Sequence, residues 1–523
     1  MSRPHHRLGL LAVGSLALGL LGCATGQPVP RAGTDPMAPL FSDPPRPQLV
    51  EHGQQAEPAV ARPPAGVRAR GPRQPNILLL LTDDQNATDM AAMPRTARLM
   101  GEIGTTFTHA VSQYPLCSPA RATLLTGQEA HNHGVMGNDL PWGGVQRLRD
   151  AETVPVWLQR AGYHTTHLGK YLQHYEDTPT YVPPGWDEWY TPVSGVYDYY
   201  TSLVNENGSL RWHSGTYQTT YVRERTSELL QRQARARTPF FTWVDFLAPH
   251  FGTPVEPDDP RAEEPGSRVD TPAVEPRFRD SLSGLRNPRT PAFNEPDMHD
   301  KPDDLRVKPR LKDRYVDEAL RQRRESLRSV DDAVVRILRT LRRTGELKDT
   351  VVVFTSDNGF STGQHRWFQK VLGYEESIRI PMYVAGPGFE PGAVRDQLVT
   401  LTDLATTFVR VAHAQPTLEP DGLSLRRFSQ DPTYRADRSV LLEAGGSPHV
   451  GLDRVYRGVR TPDGLVYLQW YDGHEEVYDL DRDPFEVRGG IDALERPHLE
   501  RLRRAAKVLS TCRGPDCSSV RQP

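Results

Sequence analysis

Five short polar clusters carry the chemistry available to this chain: Asp83-Asp84, Cys117 with Arg121, Gly169-Lys170, Pro249-His250 and Asp357-Asn358-Gly359. The three aspartates and the asparagine offer oxygen ligands of the kind that hard divalent cations such as Ca²⁺ and Mg²⁺ prefer. Cys117 is followed by Ser118-Pro119-Ala120-Arg121. A proline with helix formers behind it predicts a helix start, with Cys117 at or just before its first residue. Exposed backbone N–H groups and the helix dipole favour an anion there. Arg121, one helical turn on, points to the same place. The expected product is an oxyanion pocket with a nucleophile at its centre. One acid pair at a strand end is ordinarily turn and cap chemistry. Four such clusters in matching positions outweigh that reading.

The elements that must position these residues are legible as apolar runs. Residues 76–82 and 350–355 are continuous and aliphatic, as expected of strands buried on both faces of a parallel sheet. They end in Asp83-Asp84 and Asp357-Asn358. Residues 164–168, ending at Gly169-Lys170, and 239–247, ending at Pro249-His250, read as further strands. Weaker strand signals cover 380–384 and 397–400. Leu327, Val330, Val334, Ile337, Leu338 and Leu341 recur at three- and four-residue spacing and predict a helix over 318–343, stopped by Gly345. Helix into strand is the unit of a βαβ sheet, and ligands bind such sheets beyond the strands' C-terminal ends. The expected fold is α/β, with a mixed, mostly parallel central sheet flanked by helices. Residues 253–310, dense in Pro and charge, read as a long irregular insertion on the substrate side. From about Arg426 short alternating runs, such as 464–470, predict a small antiparallel sheet.

Lys plus Arg total 63 and Asp plus Glu 66, a net charge of −3 that gives no electrostatic reason to expect a nucleic-acid partner. Four cysteines are too few for a disulfide-built scaffold or a Cys-rich zinc module. Arg3 and Arg7 precede an apolar run over 8–21 that ends at Gly22-Cys23, which describes a signal peptide, 1–23. Its ending resembles a bacterial lipobox, in which cleavage precedes Cys23 and its sulfur is lipidated. Residues 24–74 are rich in Pro, Gly, Gln and Arg and read as a disordered tether. The expectation is an exported protein of a bacterium, periplasmic or held at the cell surface by a lipid. The catalytic body is expected over 75–425 and a C-terminal subdomain over 426–523. Cys512 and Cys517 are expected to close a small disulfide loop around a Gly-Pro turn. Cys117 is left alone.

The run from Cys117 to Gly127, Cys-Ser-Pro-Ala-Arg-Ala-Thr-Leu-Leu-Thr-Gly, resembles the Cys-x-Pro-x-Arg signature of type I sulfatases. The segments 75–85, 168–171, 248–250, 355–359 and 477–484 match the same family in order and spacing. The resemblance covers roughly 75–486. It implies an alkaline-phosphatase-like fold and a sulfuric ester hydrolase. It further implies that a maturation enzyme oxidises Cys117 to formylglycine, whose hydrate supplies the attacking hydroxyl. Asp83, Asp84, Asp357, Asn358 and an oxygen on modified residue 117 then hold one divalent cation. Ca²⁺ is favoured, since a flexible oxygen site in an exported protein suits it, and Mg²⁺ is the alternative. Arg121, Lys170 and Lys370 match positions that hold the aldehyde hydrate and the sulfate. His250 matches one that contacts the ester and protonates the leaving oxygen, and His133 and His365 are softer substrate-binding candidates. Many arylsulfatases have a His two residues after the Lys of the Gly-Lys motif. Here that place is Leu172, with a His only at His174. The stretches 169–175, 182–189, 197–201 and 131–133 resemble instead the branch of N-acetylglucosamine-6-sulfatases and extracellular heparan endosulfatases. This implies a sulfated sugar as substrate. Two rival readings stand beside it: a phosphodiester or phosphonate monoester hydrolase of the same superfamily, and a non-catalytic protein that binds sulfated glycans.

Overall fold

The computed structural model describes residues 74–260, 270–445 and 455–520. The expected signal peptide, Cys23 and the tether up to residue 73 lie outside the described residues. Among the described residues no helix is long and apolar enough to cross a membrane.

Ten strands form the central sheet. From one edge the order is Ala393–Arg395, Gly104–Phe107, Met382–Ala385, Thr350–Ser356, Asn76–Thr82, Phe240–Phe246, His164–Leu168, Glu188–Ser194, Thr201–Glu206 and Ser209–Ser214. The five strands from Thr350–Ser356 to Glu188–Ser194 pair in parallel, and antiparallel strands flank them on both sides. Every residue of Asn76–Thr82, Phe240–Phe246 and Thr350–Ser356 is buried, as expected of strands covered on both faces. Their registers bring the C-terminal ends level: Thr82 pairs with both Ser356 and Phe246, and Leu168 with Val244. The four polar clusters therefore emerge side by side along one edge.

The periodic helix runs over Asp313–Arg343, five residues further toward the N-terminus than its apolar spacing predicts. Its Leu327, Val330, Val334 and Ile337 pack on one face of the sheet beside the helix Gln218–Ala236. The helices Cys117–Thr126 and Leu401–Val411 cover the other face. The weak strand signal over 397–400 shrinks to Val399–Thr400, paired with Ala110–Val111 outside the main sheet. Thr400 instead caps a helix, its side chain and that of Asp403 exchanging hydrogen bonds with the backbone, and this local pairing ends the strand. The other weak signal becomes the antiparallel strand Met382–Ala385. The described parts of 253–310 hold only short turns of helix, Pro276–Phe278 and Asp303–Arg306.

The C-terminal sheet has four antiparallel strands, Val440–Ala444, Tyr456–Arg460, Leu465–Trp470 and Glu475–Asp479. Alternation assigns its two faces. Leu442, Tyr456 and Leu468 pack on Trp367, Leu372 and Tyr374, while Leu441, Val459 and Tyr467 pack on Leu499, Leu502 and Leu509 of the helix Arg496–Leu509. Cys512 and Cys517 form the expected disulfide.

A buried acid behind the Cys117 helix sets a pH response of the fold. Gln113 donates to Glu129, and burial with Asp421 and Glu443 nearby pushes the Glu129 carboxyl from its ordinary 4.5 up to about 8. The native state therefore keeps a proton that the unfolded chain has lost. That contribution is fully present below about pH 4.5 and is lost as pH rises through 8. Glu129→Gln is expected to flatten the fall in melting temperature between pH 5 and 8. Melting curves across that range check it, and a parallel offset at every pH would contradict it.

Candidate active site at the strand ends

The helix Cys117–Thr126 starts as its proline predicts, and all ten of its residues are buried. Cys117 is 1% exposed at its first position. Its Sγ lies 3.6 Å from Asp83 Oδ1, 3.5 Å from Lys170 Nζ and 2.9 Å from Lys370 Nζ. Lys170 donates to Asp83 Oδ2 at 2.5 Å, and Lys370 to Asp84 Oδ1 at 2.5 Å. Arg121 donates to Asp357 Oδ2 at 3.0 Å and to the Lys170 carbonyl at 2.8 Å. His250 Nε2 lies 3.6 Å from Asp84 Oδ2. The structure thus brings together nine of the residues singled out in the sequence: Asp83, Asp84, Cys117, Arg121, Lys170, His250, Asp357, Asn358 and Lys370.

Asp84 adopts a left-handed backbone at φ 69°, an unfavourable conformation for a residue with a side chain. Besides the Lys370 contact, three hydrogen bonds hold it. Its N–H donates to Asp357 Oδ1 at 3.1 Å, its carbonyl accepts from Arg323, and Asn358 Nδ2 donates to its Oδ1 at 2.7 Å. Asp84 Oδ2 and Asn358 Oδ1 are buried acceptors with no hydrogen-bond partner. Buried oxygens of this kind are costly unless something positive meets them. Together with the carboxylates of Asp83 and Asp357 they fit a hard divalent cation.

The electrostatics divide the acids. Burial alone would raise Asp83, but Lys170, His250 and Arg121 outweigh it and hold the carboxyl well below its usual range. Asp84 is likewise held low, against burial, by Lys370 and His250. Asp357 goes the other way: burial and the Asp83 charge push it up to about 7 despite Arg121. Burial raises the Cys117 thiol to about 11 even with two lysines beside it. Burial lowers His250 to about 4. Its Nδ1 faces the Phe251 carbonyl at 2.7 Å, so the neutral ring donates there and leaves Nε2 toward Asp84.

Two candidates lie elsewhere. His133 accepts the Val135 N–H on Nδ1 and meets Thr123 Oγ1 with Nε2, so both ring nitrogens serve the turn after the Cys117 helix. His365 pairs with Glu295 and packs on the Tyr374 ring. His174 is engaged by Asp139 and Asp177 and does not replace the histidine missing at Leu172.

Three neighbours of the site escaped the sequence reading. Asp245 accepts from Arg121 Nη1 at 2.7 Å. Its signal was a lone charge inside the apolar strand Phe240–Phe246. Arg323 carries no signal that separates it from the other arginines of its helix. Tyr197 stacks on His250, with ring centroids 4.7 Å apart, and lies 4.9 Å from Lys170 Nζ.

The sulfatase family profile matches residues 75–414, and that of the N-sulphoglucosamine sulphohydrolase C-terminal region matches 363–506. Human N-acetylglucosamine-6-sulfatase is 30% identical, over 86% of this chain and 87% of its own. The extracellular sulfatase SULF-1 homolog of Drosophila melanogaster is 32% identical over 68% of this chain and 31% of its own. Among solved structures, a protein in complex with its substrate D-glucosamine-2-N,6-O-disulfate superposes with a TM-score of 0.63 at 22% identity, covering 83% of this chain and 97% of that one. A phosphonate monoester hydrolase from Silicibacter pomeroyi superposes at 0.59 with 19% identity, over 83% and 94%. These two likenesses are of fold and extend to an enzyme of different specificity. The profile match spans most of the chain and includes Cys117 with its partners, and on that ground the chain belongs to the sulfatase family, the hydrolases of sulfuric esters.

Proposed function

We propose that this chain removes sulfate from a sulfated sugar of the N-acetylglucosamine-6-sulfate type, using formylglycine made from Cys117 and one divalent cation, Ca²⁺ by preference. The observation that carries the reading is the packing of Lys170 and Lys370 against residue 117, in a buried cluster with Asp83, Asp84 and His250. A thiol held at about 11 is a poor nucleophile at neutral pH, which favours a modified residue over direct attack by sulfur.

As formylglycine hydrate, residue 117 supplies one hydroxyl for attack on sulfur and a second whose collapse releases sulfate. The bound cation supplies Lewis-acid stabilisation of the negative charge on the ester. Lys170 and Lys370 add fixed positive charge at the same point. Arg121, tied to Asp357 and Asp245, orients the helix start. Asp357, which burial and the Asp83 charge push up to about 7, is the acid assigned to take the hydrate's proton. His250 is the proton donor to the leaving oxygen. It is neutral in the free site, and the anionic ester beside it raises its basicity so that it can carry that proton.

The kinship with the human N-acetylglucosamine-6-sulfatase supports the choice of sugar. Export, lipidation at Cys23 and dependence on a formylglycine-generating enzyme belong to the same proposal and follow from the sequence.

The test is a substrate panel run on protein made with its maturation enzyme: N-acetylglucosamine 6-sulfate, an aryl sulfate, a phosphate diester and a phosphonate monoester. Sulfate release from the sugar should dominate kcat/KM. Preference for the phosphodiester or the phosphonate would overturn the reading.

A further inference from the structure

We propose a second cation site, for a transition-type dication such as Zn²⁺, formed by His365, Glu376 and Glu486 behind the Asp357-Asn358 turn. The three side chains offer ligand atoms that all lie within 4.8 Å of one another, and His365 Nε2 lies 3.9 Å from Glu376 Oε2. His365 and Glu486 are 0% and 1% exposed. His365 Nε2, Glu376 Oε2 and Glu486 Oε1 are all buried atoms with no hydrogen-bond partner. Three orphaned polar atoms facing one point are too costly to stand without a shared partner.

The surroundings orient the ligands. His365 Nδ1 faces Glu295 Oε2 at 2.7 Å; a carboxylate oxygen only accepts, so Nδ1 donates there and Nε2 is the ring nitrogen turned toward the two carboxylates. Glu295 is held in turn by Lys301, which also takes Asp300. A carboxylate behind a histidine is the arrangement that fixes the tautomer of a metal-binding imidazole. Glu486 Oε2 accepts the Glu375 N–H at 2.9 Å, which leaves Oε1 for the site. The neighbouring cations are engaged elsewhere: Arg460 donates to Glu375, and Lys301 to Glu295 and Asp300.

The donor set selects the ion. One imidazole nitrogen with two carboxylates suits Zn²⁺ and its neighbours, whereas Ca²⁺ and Mg²⁺ favour all-oxygen sites. Zinc bonds near 2.0–2.2 Å require the three atoms to draw in by roughly an ångström. Glu376 supplies a route of entry, since it lines a cavity of about 460 Å³ together with Gln364, Arg379 and Phe485. None of Asp83, Asp84, Cys117, Lys170, His250 or Lys370 lines that cavity, so it is separate from the active site.

The site joins three distant stretches. His365 and Glu376 bracket Lys370, which reaches Cys117, and Glu486 follows the last strand of the C-terminal sheet. A bound ion would rivet that sheet to the segment carrying Lys370.

The test uses the full chain with Ca²⁺ saturating, stripped of transition metals and titrated with Zn²⁺ and with Co²⁺. The wild type should bind one equivalent, give the visible bands of a low-coordinate Co²⁺ centre and melt at a higher temperature with Zn²⁺. Asp84→Asn should keep that equivalent. Glu486→Gln and Glu376→Gln should each lose it, weakening Zn²⁺ binding by at least the ~10–100-fold that an outer-shell change already costs. Glu376 is partly exposed, so its variant serves as the check if Glu486→Gln does not fold. Zn²⁺ binding that survives both Gln variants, that disappears in Asp84→Asn, or that is absent from the wild type would overturn the proposal.

Discussion

Cys117→Ala is expected to lower kcat/KM by on the order of 10⁴–10⁶-fold, the range seen when a covalent nucleophile is removed, while leaving the melting curve nearly unchanged. The stability expectation follows from the packing. The side chain is buried, but its contacts are polar: Asp83, Lys170 and Lys370. Removing one sulfur leaves Lys170 paired with Asp83 and Lys370 with Asp84. No buried charge loses its partner, so the large destabilising mechanisms are absent. The activity expectation follows from the two hydroxyls of an aldehyde hydrate. Cys117→Ser sharpens it. A serine has one hydroxyl, so it can take a sulfuryl group but cannot expel it by collapse, and it should release at most one equivalent of product. Full turnover in either variant would remove residue 117 from the mechanism.

Arg121→Met should destabilise the fold by about 3–5 kcal/mol, the usual cost of removing one partner from a buried charge network, and should abolish activity as well. Arg121 is 1% exposed and carries ion pairs to Asp357 at 3.0 Å, Asp245 at 2.7 Å and Asp83 at 3.6 Å. Methionine fills much of the same volume but takes the guanidinium away from Asp357 and Asp245 in a low-dielectric edge, while Asp83 keeps Lys170. A double-mutant cycle separates structure from chemistry. Adding Asp245→Asn to Arg121→Met removes one stranded charge and should recover part of the stability without recovering turnover. Denaturant titrations of the four proteins read the stability, and sulfate release reads the turnover. A single variant within about 1 kcal/mol of wild type would contradict a charge network of this strength.

The local sequence determined a good deal by itself. Runs such as 77–81 and 351–354 are apolar on every residue, and a strand of that pattern must be covered on both faces, so the parallel α/β core was legible. Because parallel strands share a direction, polar clusters that follow them must gather at one edge, which grouped Asp83, Asp84, Lys170, His250, Asp357 and Asn358 before any coordinates. Pro119 with helix formers behind it marked the helix start at Cys117 from local sequence alone.

The tertiary structure decided everything that depends on non-local pairing. Strand order set Thr350–Ser356 beside Asn76–Thr82 across more than 270 residues, and no periodicity encodes that partnership. It recruited Asp245 and Arg323, whose roles exist only once Arg121 and the Asp84 carbonyl stand in front of them. It took His133 into a turn and His365 into a cluster with Glu295, Glu376 and Glu486, the first from an insertion whose sequence shows no pattern and the last from beyond the C-terminal sheet. A side chain's type is written in the chain, but whether its charge is solvated, paired or shared is fixed by neighbours that only folding supplies.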